Sequence, residues 1–409
     1  EGTHPYDSTR TARRIVAAYE LAKCRDIQVT AQKLVDLGIS RNIETARNSL
    51  DAMVNGMKTC DRMNKLYLHV TWACQLNCTH CYACAGESNH IEMNVDDIVN
   101  AVLEGDRLGF SGVVITGGEP LIHKERDELL RKLTECRKQM NGTSLILRTN
   151  FTMPLSVEDF IKIFSAFDEI VVSVDGGIKE HDLRRGKGTY DNLVKNLELF
   201  ADNKAIMQKS MHGIHIAKLA ISAVLNSNEI ENEPGRAVVE LANRLDIKNV
   251  KFRPMLPLGR ATESKDVPIA ESVLQSPMLL LNQFHPRNTC GIGQNLYVEP
   301  TGDSFPCYAY HNPYSFLGNI KSDGLDKIIT SSDFVQLRNH SVDTNIKCKE
   351  CDYRYICGGI CKAWCGEDEG CNMDSGPEDC TSAMKRAREL YKEACHYLDI
   401  PVMAESMEF

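Results

Sequence analysis

Apolar positions recur at helical spacing through the first sixty residues. Ala12, Ile15, Val16, Tyr19 and Leu21 form one series, and Ala46, Leu50, Met53 and Val54 a second, as amphipathic helices require. Between them, Thr30-Ala31-Gln32-Lys33-Leu34 followed by Leu37-Gly38-Ile39-Ser40 resembles a helix–turn–helix. The glycine would end one helix and Ser40 would start the next. A small helical cap on the following domain and a module that holds a peptide are both open readings. From Leu66 the pattern changes. Short β-rich runs at 66–72, 112–116, 144–149, 169–174, 214–225 and 249–255 alternate with amphipathic stretches near 94–108, 124–140, 156–166, 190–202 and 234–246. This alternation predicts a parallel sheet with right-handed crossovers. Six such units make an α/β fold, a partial (β/α)6 TIM-like barrel, whose chemistry belongs at the C-terminal ends of its strands.

After Ala261 the alternation stops, and a final helix is expected near 381–398. The division expected is a helical segment over 1–62, the barrel over 63–262, a cysteine-rich domain over 263–396 and a tail over 397–409. At 409 residues, with 43% hydrophobic and 25% charged positions, the chain can bury more than one core. A net charge of −9 argues against nucleic-acid or anionic-membrane partners, which need a basic face. No run of eighteen apolar residues predicts a membrane span, and no signal pattern opens the chain.

Seventeen cysteines change the picture. A disulfide framework suits short secreted chains, whereas here long core-forming stretches lack cysteine and the count is odd. Clustered metal ligands in a reducing cytoplasm are the better expectation. Nine cysteines lie within 290–380 among Gly, Pro, Asp and Asn, a segment that metal coordination would have to hold together. Cys24, Cys60, Cys136 and Cys395 fall in or beside helical segments and read as small core hydrophobes.

The segment Thr71-Trp72-Ala73-Cys74-Gln75-Leu76-Asn77-Cys78-Thr79-His80-Cys81-Tyr82 follows the first strand directly. Spacing of C-x3-C-x2-C supplies three thiolates, one short of a closed iron–sulfur or zinc site. One iron is then left open, unless Cys84 serves as a fourth ligand. This segment resembles the defining motif of the radical S-adenosylmethionine (SAM) superfamily, with His80 at its aromatic position. The resemblance implies that Cys74, Cys78 and Cys81 bind a 4Fe–4S cluster and that SAM chelates the open iron. Reductive cleavage of SAM would then release a 5′-deoxyadenosyl radical that abstracts a hydrogen atom. Thr116-Gly117-Gly118-Glu119-Pro120 looks like the family's GGE motif, which contacts the SAM amino group. Ser173-Val174-Asp175 resembles its ribose-contacting motif. Asn150 and Arg253 are further cofactor-binding candidates by position.

Downstream the order is Cys290-x11-Gly302-x4-Cys307, then Cys348-x2-Cys351-x5-Cys357-x3-Cys361, then Cys380. Seven cysteines in this register are similar to the SPASM domain, which in the family houses two auxiliary 4Fe–4S clusters, three clusters in all. Carried over, Cys348, Cys351, Cys357 and Cys380 would ligate the outer cluster, and Cys290, Cys307 and Cys361 the inner. The inner cluster would keep an open iron or borrow His285, Cys365 or Cys371, and Cys371 is an alternative to Cys380. An open iron would bind a substrate thiolate, while closed clusters would relay electrons; the two roles are compatible. SPASM relatives modify ribosomally made precursor peptides or oxidise sulfatases, the latter with an Asp after the position of Cys307. Tyr308 stands there instead, which lowers the sulfatase reading. Asp175 and Tyr308 are the candidates for a catalytic base. The resemblance thus implies an oxidoreductase that cross-links a precursor peptide by a thioether or carbon–carbon bond, fed by an electron donor such as flavodoxin or ferredoxin. The alternatives are oxidation of a small molecule or tetrapyrrole, formylglycine formation in a sulfatase, and a zinc-stabilised binding module without catalysis.

Overall fold

The computed structural model describes residues 8–58, 63–210, 216–226, 229, 232–255, 258–263, 284–311, 315–359 and 381–402. In chain order its principal elements begin with α1 (Ser8–Cys24), α2 (Ile27–Asp36), α3 (Ile43–Lys58), β1 (Lys65–His69), α4 (Val95–Arg107) and β2 (Gly112–Thr116). There follow α5 (Arg126–Gln139), β3 (Ser144–Thr149), α6 (Val157–Ala166), β4 (Glu169–Ser173), α7 (Ile178–Arg185), α8 (Thr189–Ser210) and β5 (Lys218–Leu225). The chain continues through α9 (Glu233–Arg244), β6 (Asn249–Pro254), β7 (Leu296–Val298), β8 (Asp303–Phe305) and β9 (Gly318–Asn319). It closes with α10 (Leu325–Thr330), α11 (Ser332–Asn339), α12 (Arg354–Cys357) and α13 (Thr381–Tyr397). Contacts divide the chain into two compact units, one of residues 62–273 and 293–335, the other of residues 1–61, 274–292 and 336–409.

The first unit carries one sheet in the order β6-β5-β4-β3-β2-β1-β7-β8-β9. Strands β1 to β6 run parallel, each beside its predecessor, as the alternating pattern predicts for a partial (β/α)6 barrel. β7 joins β1 in parallel, and β8 and β9 extend the edge antiparallel. The period of two along each strand sorts the core into faces. Leu66, Leu68, Val113, Ile115, Leu145, Leu147, Ile170 and Val172 join the helix-facing core. Tyr67, Val114, Ile146, Val171 and Ala220 form a separate inner layer. Fully burying one Leu, Ile, Val or Phe contributes about 1.5–3 kcal/mol, so the large helix-facing core dominates the stability of this unit. The crossover helices start where capping chemistry allows. Asn94 accepts the Asp96 amide at 2.8 Å ahead of α4, and Ser156 with Asp159 forms a reciprocal capping box ahead of α6.

In the second unit α1 presents Ala12, Ile15, Val16 and Tyr19 to Tyr353, Ile356, Leu390, Tyr391 and Ala394. Ala17 and Leu21, on its other flank, pack with Leu34, Ala46 and Leu50 of α2 and α3. Gly38, at φ +70°, follows α2, with its amide donating to Val35 and that of Ile39 to Leu34. The turn therefore ends α2 as expected. Ser40, however, does not start α3. Asn42 does, because its side chain accepts the Thr45 amide at 2.8 Å, while the Ser40 hydroxyl donates to the Asn42 carbonyl. Cys136 and Cys395 are buried among apolar side chains, as expected of core cysteines; Cys60 lies outside the described residues.

Candidate active site

The loop after β1 is fastened at closely spaced points. The Thr71 hydroxyl accepts the Ala73 amide at 3.0 Å and donates to Glu92 at 3.2 Å. The Cys74 amide donates to the Gly86 carbonyl and the Gly86 amide to that of Trp72. The turn after β2 lies directly against this loop, with Gly118 donating to the Thr71 carbonyl at 2.7 Å and Glu119 to that of Ala73 at 2.9 Å. A Cβ at Gly118 would run into the Ala73 carbonyl, and one at Gly117 (φ +147°) into that of Thr71. Only glycine permits this approach.

Arg260 holds the far side of the loop. Its Nε donates to the Cys78 carbonyl at 2.7 Å, its Nη1 to the Ala85 carbonyl at 2.9 Å, and its amide to the Cys81 carbonyl at 3.1 Å. Sequence reasoning passed over this arginine, which lies beyond β6 and has no periodic signal.

So fastened, Cys74, Cys78 and Cys81 all line one cavity of about 230 Å³ at the mouth of the barrel. Gly117, Gly118, His80, Asn150, Ser173, Arg253 and Tyr308 line it too, so ten of the residues singled out in the sequence meet in one place. Burial pushes the Cys74 thiol up to about 12, with the Leu76 amide, 3.4 Å from its sulfur, pulling the other way. Burial raises the Cys78 thiol as well, against the pull of Arg185. Such thiols ionise at neutral pH only when a metal displaces the proton. Among the described residues no three His, Cys, Asp or Glu side chains are placed to hold a single metal ion. Three thiols around one cavity fit separate corners of an iron–sulfur cluster, and donors near the Cys74 sulfur, Leu76 N–H and the Asn150 amide at 3.8 Å, suit a cluster tuned by its surroundings.

Glu119 and Asp175 stand outside the cavity lining. The Glu119 carboxylate accepts the Asn150 amide at 2.7 Å, the Thr149 hydroxyl at 2.8 Å and the Leu121 amide at 3.0 Å. Burial pushes its carboxyl up to about 7 against those donors. Asp175 is fully buried. It accepts from Arg185 Nε at 2.6 Å and the Val224 amide at 2.8 Å, with His80 Nε2 at 3.2 Å. Burial alone would raise the Asp175 carboxyl, but the charges of Arg185 and His80 hold it well below the usual carboxylate range. Arg185, from the end of α7, lines the cavity and was not anticipated.

A second group fills the other side of the barrel mouth. His69 Nε2 lies 3.0 Å from the Tyr82 hydroxyl and 2.6 Å from that of Tyr297, and burial pulls its imidazole down to about 3, leaving it neutral. Tyr308 packs on Tyr82 with ring centroids 5.1 Å apart. A histidine and an arginine inside apolar strands, His69 in β1 and Arg148 in β3, were signals available to sequence reasoning and not used.

Of the downstream cysteines, Cys307 lies in the barrel unit, where its sulfur accepts the Ala309 amide at 3.4 Å. Cys290, Cys348, Cys351 and Cys357 lie in the other unit, with the exposed His285. There the Asn345 side chain accepts the Cys348 amide at 3.0 Å, and Arg354 donates to the carbonyls of Ala22 at 2.7 Å and Cys351 at 3.2 Å. Cys361, Cys365, Cys371 and Cys380 fall outside the described residues.

Residues 68–215 match the radical SAM superfamily, and residues 290–352 match an iron–sulfur cluster-binding domain, SPASM. The mycofactocin maturase MftC of Mycolicibacterium smegmatis is 25% identical over 80% of this chain and 82% of its own. The antilisterial bacteriocin subtilosin biosynthesis protein AlbA of Bacillus subtilis is 24% identical over 64% of this chain and 58% of its own. Among solved structures, SuiB of Streptococcus suis bound to precursor peptide SuiA superposes with a TM-score of 0.56 at 16% identity, covering 85% of this chain and 89% of that one. Native anSMEcpe with bound AdoMet gives 0.56 at 19% identity, covering 82% and 98%. These two likenesses show a shared fold.

Proposed function

The chain belongs to the radical SAM superfamily and carries a SPASM domain, and from that premise we propose that it removes a hydrogen atom from a ribosomally made precursor peptide and installs a cross-link, thioether or carbon–carbon. The observation that carries this reading is the cavity lined by three thiols, rather than four, beside the Gly117–Gly118 edge. When bound there, an iron–sulfur cluster and SAM together supply a 5′-deoxyadenosyl radical. Cys74, Cys78 and Cys81 would hold the cluster, and Arg260 fixes their loop. Gly117 and Gly118 leave backbone exposed to the SAM amino group, with His80, Asn150 and Ser173 along the same wall. Asp175 acts through Arg185 and His80, fixing both side chains at the cavity wall, and is a positioning residue. Tyr308, which does line the cavity, is the better candidate to receive the proton a substrate loses on oxidation.

Cys348, Cys351, Cys357 and Cys380 would hold an outer auxiliary cluster, and Cys290, Cys307 and Cys361 an inner one. An electron donor such as flavodoxin or ferredoxin would serve the chain in a reducing cytoplasm. Among the described residues no helix is long and apolar enough to cross a membrane. The peptide reading draws on MftC and AlbA, named as a maturase and as a bacteriocin biosynthesis protein, and on SuiB, seen with a precursor peptide. The test is anaerobic incubation of the reconstituted protein with SAM, reductant and the peptide encoded beside its gene. Release of 5′-deoxyadenosine and a product lighter by two hydrogen atoms are expected. 5′-Deoxyadenosine without any change in the peptide would refute the peptide substrate, and its absence would refute the chemistry.

A further inference from the structure

Among the described residues the cavity wall carries four arginines, Arg148, Arg185, Arg253 and Arg260, and no carboxylate. Two of these have polar partners. Arg185 is paired with Asp175 at 2.6 Å, and Arg260 donates through Nε and Nη1 to the Cys78 and Ala85 carbonyls, its buried Nη2 having no partner among the described residues; both also act on Cys78. Arg148 and Arg253 have neither kind of partner among the described residues. They bear instead on the tyrosine side of the cavity. Arg148 lies over the Tyr67 ring, 5.2 Å from its centroid, and its charge acts on His69, Tyr82 and Arg253. Two residues along β3 from Ile146, a member of the inner layer, Arg148 is aimed by the strand's period of two into the barrel interior.

Arg148 and Arg253 act on each other across a shared cavity, with no acid beside either among the described residues, and an anion held between them would relieve that repulsion. The Arg148 guanidinium sits over Tyr67 and none of its N–H donors has a hydrogen-bond partner among the described residues, so its fork is available to grip a planar carboxylate in two places. We propose that Arg148, assisted by Arg253, binds a carboxylate of the substrate peptide, either an Asp or Glu side chain or the terminal carboxyl, and so sets which residue lies beside the radical. SAM also carries a carboxylate, and Tyr82, on which the Arg148 charge acts, directly follows Cys81 on the cysteine loop, so the SAM affinity of an Arg148 variant is what tells the two carboxylates apart. The inference rests on that reading of the site and adds to it the chemical class of residue selected.

The test uses the reconstituted, cluster-loaded protein saturated with SAM and titrated calorimetrically with three probes. These are the acetylated, amidated tripeptide Ala-Glu-Ala, acetylated trialanine with a free carboxyl, and acetylated, amidated Ala-Gln-Ala. At least one acidic probe should bind about ten-fold tighter than the neutral one. Arg148→Met should erase that difference with SAM affinity unchanged, and Arg148→Lys, which keeps the charge without the fork, should restore part of it. Equal binding of acidic and neutral probes, no binding by any probe, or a loss of SAM affinity in Arg148→Met would each overturn the proposal. Peptide-independent release of 5′-deoxyadenosine, followed in the same samples, separates these failures from failure of the radical SAM reading itself.

Discussion

At the scale of single residues the site depends on groups that hold its wall in place. Arg185 and Asp175 form a buried pair at 2.6 Å, and removing one partner of such a pair leaves an uncompensated charge that costs about 3–5 kcal/mol. Arg185→Met should therefore lower the urea midpoint sharply, and adding Asp175→Asn should recover much of the loss. Equal midpoints for Arg185→Met and wild type would show that the pair does not support the barrel mouth. Gly118 is a second such position. Because its missing Cβ is what lets the turn lie on the Ala73 carbonyl, Gly118→Ala must shift the cysteine loop. The expected result is a protein that folds but takes up less iron and sulfide on reconstitution and cleaves SAM poorly. Wild-type iron content and cleavage would mean the close approach is incidental.

At the scale of elements, the strands were legible because most carry a run of β-branched and apolar residues, as the five buried positions of β2 illustrate. β1 ends at His69 rather than at 72 because the chain from Thr71 turns away to build the cysteine loop, bridging to Glu92. Helix α7 was not legible, for a physical reason. Its apolar residues face water, Ile178 being 51% and Leu183 78% exposed, while its buried side chains are His181 and Arg185. No apolar stripe marks a helix whose inward face serves polar contacts. The short β7, β8 and β9 owe their existence to pairing with β1 and one another, which local pattern does not encode. The Gly-Gly-Glu turn was readable because close packing restricts residue type there, and the triad because three cysteines at that spacing form a recognisable pattern; Arg148 and Arg260 act through tertiary contacts alone. The α2–α3 connection offers a check on local chemistry. Gly38→Ala, at φ +70°, and Asn42→Ala, which removes a helix cap, should each cost about 1 kcal/mol. Ser40→Ala should cost less than Asn42→Ala in the same thermal denaturation series, and the reverse order would restore Ser40 as the start of α3.

At the scale of the whole molecule, the account turns on what the two cysteine fields hold. The barrel unit presents three thiols to one cavity, and the other unit carries Cys290, Cys348, Cys351 and Cys357. The superfamily match covers Cys74, Cys78 and Cys81, and the SPASM match covers Cys290, Cys307, Cys348 and Cys351. The most direct measurement is iron and sulfide content of anaerobically purified protein beside a Cys74/Cys78/Cys81→Ala triple variant. Three 4Fe–4S clusters predict about twelve irons per chain, falling to about eight in the variant. About four irons, all lost in the variant, would contradict the auxiliary clusters, and zinc without sulfide would contradict the account as a whole.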